Sequence, residues 1–366
     1  MANPENINQS LARTPLYQMG VELKAKFTSF GGWEMPIQYS SIIEEHHHMG
    51  KFILQGQNLI SQLEYLVPSD LSRLQPGQAQ YTVLLNHQGG IVDDIIIYYQ
   101  GTDSFDTQKV VIIVNAATTD KDRAWILAHL DPNTVEFQDL SRDKILIAVQ
   151  GPTATNHLQS LVTEDLSAIK AFGHLETTIF GKYAFLARTG YTGEDGFEVM
   201  VDSSVGIDLW ENLYNVGVIP CGLGCRDTLR LEAAMALYGQ DIDDTITPLE
   251  AGLGWLVHLD TKGDFIGKKV LIQQKAQGVP HKLVGLQTEG RNIPRHGYPV
   301  LSSGQVIGEV TSGTLSLTLG YPIALAYVPS QLATVKQQLE VEIRGKAYPA
   351  VVVKRPFYRS KNRVTK

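Results

Sequence analysis

The segment GGIVDDIIIYY, residues 89–99, sets two adjacent carboxylates inside a run of isoleucine, valine and tyrosine. Strand side chains alternate between faces, so Asp93 and Asp94 should point opposite ways, one toward solvent and the other toward a buried surface. A carboxylate facing a buried cleft is costly unless a cation or a hydrogen-bond donor meets it there. Two readings stand side by side. One is a hairpin-edge acid bonded to turn amides. The other is a carboxylate that binds an amine or stabilises a developing positive charge.

A second candidate is RTGYTGEDGFEV, residues 188–199, where glycines set Tyr191, Glu194, Asp195 and Glu198 on a tight backbone. No Gly-Lys-Ser/Thr follows, so this is not a phosphate loop. Its acids would repel an anion, whereas a ligand bearing N–H donors suits it; the plain alternative is an acidic hairpin loop on the surface. In GLGCRDTLRLEA, residues 222–233, Arg226 follows the glycines near a helix start, with Arg230 one turn on. A guanidinium there can clamp a carboxylate or order Glu198; an ordinary surface pair with Asp227 is the plain alternative.

The stretch EEHHHMGKF, residues 44–52, places His46, His47 and His48 in a row. Helical neighbours diverge by about 100° and strand neighbours alternate, so such a run is badly spaced for one ion, and no metal is expected. Cys221 and Cys225 are the two cysteines. They cannot build a disulfide framework and lack the second pair of a structural zinc site, which fits a reducing compartment. No Ser–His–Asp or Cys–His arrangement stands out.

The elements that must hold these residues can be read from periodicity. A chain of 366 residues with 43% hydrophobic and 19% charged residues predicts two or three packed units. A net charge of −7 disfavours nucleic acid as the main partner. The N-terminus has no signal-peptide pattern, and no apolar run is long enough to span a membrane. A soluble intracellular protein is expected. Residues 59–67 and 118–130 read as helices; 79–86, 91–99 and 109–116 read as strands, the first two around the turn HQGG. Residues 144–152 and 153–162 repeat strand then helix. The stretch 182–201 reads as two strands around the glycine-rich loop, followed by helices at 205–214 and 222–237. After about Asp264, short strands between glycines and prolines predict an all-β unit, a small barrel joined near GKKVLIQQKAQGVPHK.

Taken in order, TPLY (14–17), FGGWEMPIQYSSIIEEHH (30–47), GGIVDDIIIYY, RTGYTGEDGFEV, GLGCRDTLRLEAAMALYGQDID, TSGT and RPFYR cover nearly the whole chain and resemble the aminomethyltransferase of the glycine cleavage system, the T-protein family. The resemblance implies an α+β fold: a three-part disc of two mixed α/β units (within residues 1–270) plus a C-terminal β-barrel (271–366). Tetrahydrofolate would lie in a central channel as co-substrate, with no metal. The implied reaction takes the aminomethyl group from the lipoylated H-protein, releases ammonia and forms 5,10-methylenetetrahydrofolate in the cytoplasm. By position, Asp94 matches the active-site aspartate beside the folate nitrogens. Glu198 matches the acid that holds the pterin, and Arg226 the arginine near it. Tyr81, Asn115 and Tyr191 fall at positions lining the channel, and Met49 follows the histidine of the family's S-H-M-G strand.

The chain also departs from the family. There, a helix ending in E-E-H-H leads into a segment like A-V-R-x-x-x-G-L-F-D-V-S before H-M-G; here His47 meets His48 directly, so roughly a dozen residues are absent by that comparison and the triple histidine reads as a join. Leu315 and Leu317 stand where the family usually has phenylalanine and proline. The alternative function is a folate-binding homologue of the same fold, inactive as a transferase because of the shortened first domain. An iron–sulfur assembly relative is disfavoured, since ALYGQDID (236–243) lacks that group's lysine and cysteine, and a demethylating domain usually accompanies an oxidase domain for which the chain has no room.

Overall fold

The computed structural model describes residues 11–39, 44–45, 49–290 and 292–360, with the backbone alone at 44–45. The join between His47 and His48 lies outside the described residues.

The first sheet is antiparallel with five strands, in the order Gln78–Leu85, Ile91–Thr102, Gln108–Val114, Gly50–Gly56, Val135–Asp139. The β-branched runs VVIIV and IVDDIII supply its centre, as their preference for a pleated, packed surface dictates. Its outer face buries Phe52, Leu54, Val110 and Ile112 against the helices Leu59–Glu64 and Thr119–His129, with Leu59, Leu63 and Ile126 completing that core. The turn at 86–90 is shaped by Asn86, whose Oδ1 accepts from the amides of Gln88 and Gly90.

The second sheet runs His174–Ile179, Lys182–Ala187, Gly196–Asp202, Lys144–Gln150, Glu44–Glu45. Ile145, Ile147, Phe197 and Val199 pack beneath the helix Ser203–Asn215 through Leu209 and Trp210. Glu44–Glu45, expected at a helix end, instead pair with Ala148 and Ile147 as a short strand. The inner faces of the two sheets meet through Tyr98, Ile113, Leu146, Phe185 and Met200.

The third unit is a closed barrel of strands His281–Thr288, Pro322–Pro329, Gln305–Leu315, Pro299–Ser302, Gln338–Ile343 and Lys346–Val353. The helix Lys268–Gln277 precedes it, and its Leu271 packs with Val83, Leu85 and Ile91 of the first sheet. A three-stranded sheet of Ala12–Arg13, Trp33–Gln38 and Lys26–Phe30 completes the fold.

The helix Leu223–Glu232 holds the units together. It is shorter than its expected 222–237, because Ala234 adopts φ 54° and reverses the chain. At its start Gly222 lies so close to strand Trp33–Gln38 that a Cβ would stand 2.4 Å from the Ile37 carbonyl carbon. At its end, the fully buried Arg230 donates to Asp227, Asp241 and Ser312. Glu232 accepts from the hydroxyls of Ser316 and Thr318 in the barrel. Asp227 therefore serves Arg230. Leu317, beside this cradle, is 81% exposed, so its replacement of a proline is spent on the surface rather than in the core.

Candidate active site

Asp94 leaves the middle of the strand Ile91–Thr102, opposite Val83 of its neighbour. The alternation expected for the acid pair is present, but neither member faces open solvent. Asp93 is wholly buried behind the sheet, and Asp94 is turned into a pocket. Both oxygens of Asp94 are held: Asn115 Nδ2 donates to Oδ1 at 2.8 Å, and the Tyr81 hydroxyl donates to Oδ2 at 3.0 Å. Burial, then the charge of Asp93, push this carboxyl up to about 7. Burial beside the same acid also raises the Tyr81 phenol, which keeps it a donor.

The pocket has a volume of about 510 Å³. Asp94, Tyr81 and Asn115 form one wall, and Met49, just before the strand Gly50–Gly56, also lines the pocket. Tyr191, Glu198 and Arg226 form another. Tyr191 reaches inward because the loop 188–196 is clamped by Arg188, whose Nε and Nη2 donate to Asp195 at 2.9 and 2.6 Å. The loop is thus no loose surface hairpin: its backbone is fixed by a two-point ion pair, and the Tyr191 hydroxyl donates to the Ala236 carbonyl. The Arg226 guanidinium lies 4.2 Å from the centre of the Tyr191 ring.

Glu198 lines the pocket from the strand Gly196–Asp202 and is 7% exposed. Its Oε2 accepts from the hydroxyls of Thr189 and Tyr98. No hydrogen bond from a described residue reaches its Oε1. A buried carboxylate with one oxygen held and one facing a cavity is a ready acceptor for a ligand N–H.

The third wall comes from farther along the chain. Trp255 stacks on Tyr81 with ring centres 6.1 Å apart, and Gly252, Leu283, Arg355 and Pro356 stand beside it. Sequence reasoning did not single these out, although RPFYR and the tryptophan of GLGW were visible signals. Arg355 is bordered by Tyr327 and Asp241, and burial lowers its pKa below the usual arginine value. Among the described residues, no group of His, Cys, Asp and Glu is arranged to hold a metal ion. His46, His47 and His48 lie outside the described residues. No helix among the described residues is long and apolar enough to cross a membrane.

Comparison with known proteins agrees with this arrangement. The family model described as GCVT N-terminal domain matches residues 16–261, and that described as glycine cleavage T-protein C-terminal barrel domain matches residues 281–359. An aminomethyltransferase from a Nostoc species is 72% identical, covering 99% of this chain and 100% of the relative. That alignment runs over 375 positions, more than the 366 of this chain, so the chain lacks residues that the relative has. An aminomethyltransferase from Rippkaea orientalis is 63% identical over 97% of this chain and 99% of its own length. The crystal structure of glycine cleavage system aminomethyltransferase T from Bartonella henselae superposes with a TM-score of 0.89 at 30% identity, covering 98% of this chain and 100% of that one. The two sheets, the closing barrel and the pocket between them are thus the fold of a known enzyme group, and the chain belongs to the aminomethyltransferase family of glycine cleavage T-proteins.

Proposed function

We propose that the chain transfers an aminomethyl carbon to tetrahydrofolate in the pocket around Asp94, with the lipoyl arm of an H-protein as donor and ammonia as the second product. The observation that carries this reading is the Asp94 carboxylate, held at both oxygens and set in a walled pocket opposite Glu198. Such a group stabilises positive charge that develops as a carbon–sulfur bond breaks, because its acceptors are already oriented before the reaction starts.

The residues present fit a pterin. Glu198 offers Oε1 to ring N–H groups, while Thr189 and Tyr98 fix its other oxygen. Arg226, backed by Tyr191, closes the same wall. Asn115 and Tyr81 orient Asp94, and Met49 supplies an apolar contact. The folate supplies the nitrogen nucleophile, so no serine or cysteine nucleophile is required. What the chain contributes is position, a shielded pocket and one oriented negative charge.

The test is ammonia release from aminomethyl-loaded H-protein, with and without tetrahydrofolate. Release that depends on tetrahydrofolate is expected. Failure of the purified chain to bind tetrahydrofolate or to release ammonia in its presence would refute the proposal.

A further inference from the structure

Asp122 sits in the first turn of the helix Thr119–His129, where acids ordinarily lie in solvent near the helix's partial positive charge. Here it is completely buried, and no hydrogen bond of good geometry holds either carboxyl oxygen. Asp93, also completely buried, faces it. Asp93 accepts from the Asn115 amide at 3.0 Å, from Asn115 Nδ2 at 2.9 Å and from the Thr118 hydroxyl at 2.9 Å. Thr118 borders both acids: its hydroxyl has bonding geometry to Asp93, and its effect on Asp122 is smaller than those of burial and of the Asp93 charge.

Two carboxyl groups in contact and out of water do not both ionise. The charge belongs on the one with donors, Asp93, and the proton on the one without, Asp122. Burial and the Asp93 charge push Asp122 up to about 10. Burial also raises Asp93; a proton donated by Asp122 would hold it down, as the donors on Asn115 and Thr118 do.

The Asn115 amide is the link to the pocket, because the same Nδ2 reaches Asp93 Oδ1 at 2.9 Å and Asp94 Oδ1 at 2.8 Å. We propose that Asp122 is a positioning residue for Asp94: held as a neutral acid, it donates its proton to Asp93, keeps a single fixed charge behind the sheet, and through Asn115 sets the Asp94 carboxylate. Other groups face this unit as well. Lys121 on the same helix pairs with Asp244 at 3.2 Å and donates to the Tyr238 hydroxyl at 2.7 Å. Tyr238 in turn lies near Asp93, Asp122, Asp243 and Asp244. Tyr81 and Tyr191 border Asp94 from the pocket side.

The inference rests on Asp94 as the reacting carboxylate, so the experiment carries its own reference. Ammonia release with tetrahydrofolate and aminomethyl-loaded H-protein is followed against pH for the full chain and for Asp122→Leu, Asp122→Asn and Asp94→Asn. Asp122→Leu fills the space but donates nothing. Its kcat is expected to fall tenfold to about a hundredfold, the effect of moving a reacting group by roughly 1 Å, with KM for tetrahydrofolate unchanged. Asp122→Asn keeps a neutral donor; it should recover most of the lost kcat and leave the acid limb of the pH profile in place. Wild-type kcat in a less thermostable Asp122→Leu would reduce Asp122 to a packing role and overturn the inference. A displaced acid limb in Asp122→Asn would do the same, by showing that Asp122 carries charge. If Asp122→Leu does not fold, the limb in Asp122→Asn decides alone. Full turnover by Asp94→Asn would instead bring down the reading of the site itself.

Discussion

Replacing Asp94 by asparagine should remove turnover and, at the same time, make the protein more stable above neutral pH. The two partners of Asp94 can both be kept: an asparagine oxygen accepts from Asn115 Nδ2, and its amide donates to the Tyr81 oxygen. What the change removes is a buried charge. In the folded chain burial and Asp93 raise the carboxyl from 3.8 to about 7. Below the lower value Asp94 is neutral in folded and unfolded chains alike and has no pH-dependent effect. Between the two values the unfolded chain gives up its proton while the folded chain keeps it, so stability falls as pH rises. Above the upper value the loss is complete. A shift of about three units at about 1.4 kcal/mol each sets a ceiling of about 4 kcal/mol, and relaxation of Asp93 toward a neutral neighbour reduces the gain. Urea unfolding of both proteins at pH 5 and pH 8 measures it. Because pH 5 already lies above the unfolded value, Asp94→Asn should gain roughly 1–2.5 kcal/mol more at pH 8 than at pH 5. A difference independent of pH, or a less stable variant at pH 8, would refute the account of Asp94 as a strained, functional charge.

Turnover of the unaltered chain should rise with pH through an ionisation near 7, because the carboxylate is the form that stabilises a cation; a profile flat from pH 6 to 8 would contradict this. Glu198→Gln should weaken tetrahydrofolate binding tenfold to about a hundredfold, the loss of a charge-assisted bond of ~1.5–3 kcal/mol, with a smaller effect on kcat at saturation; isothermal titration measures the constant. Arg230→Met strands the buried Asp241 and should cost ~3–5 kcal/mol in urea unfolding, part of which returns when Asp241→Leu is added. Ammonia release should be unchanged by EDTA and by His46→Ala or His47→Ala; stoichiometric zinc in the purified protein, lost on either change, would contradict that.

Much of the fold was legible because its strands are β-branched runs cut by glycine turns. The hairpin around HQGG and the change of character at the barrel both follow from local preference. The helix at 222–237 was read too long, since alanine, methionine and leucine favour helix locally, whereas the chain reverses at Ala234 and brings Asp241 back onto the buried Arg230. The seven residues expected around the ligand do line one pocket. Asp93 was expected to reach solvent if Asp94 did not, and strand alternation alone could not show that a helix covers its other face. Asp122 gave no signal, because an acid in a helix's first turn normally reads as a solvated cap. Arg355 follows the last barrel strand and Trp255 sits on a short turn beside the first sheet, and neither's arrival at the pocket follows from local spacing, even though RPFYR and GLGW were visible in the sequence.

The pocket wall runs from Met49 to Pro356 and draws on both sheets and the barrel segment. No one unit can bind a ligand there by itself. Undocking the barrel and releasing the ligand are therefore thermodynamically linked, and an occupant acts as a removable staple. At a hundred times its dissociation constant, a ligand adds about 2.7 kcal/mol to the closed assembly. That increment should appear as protection of the connection at 268–280 from proteases and as slower amide exchange in the barrel strands nearest Arg355. Supply of the small molecule would then set the lifetime of the protein as well as the rate of its reaction, so that an unfed enzyme is the one most readily degraded.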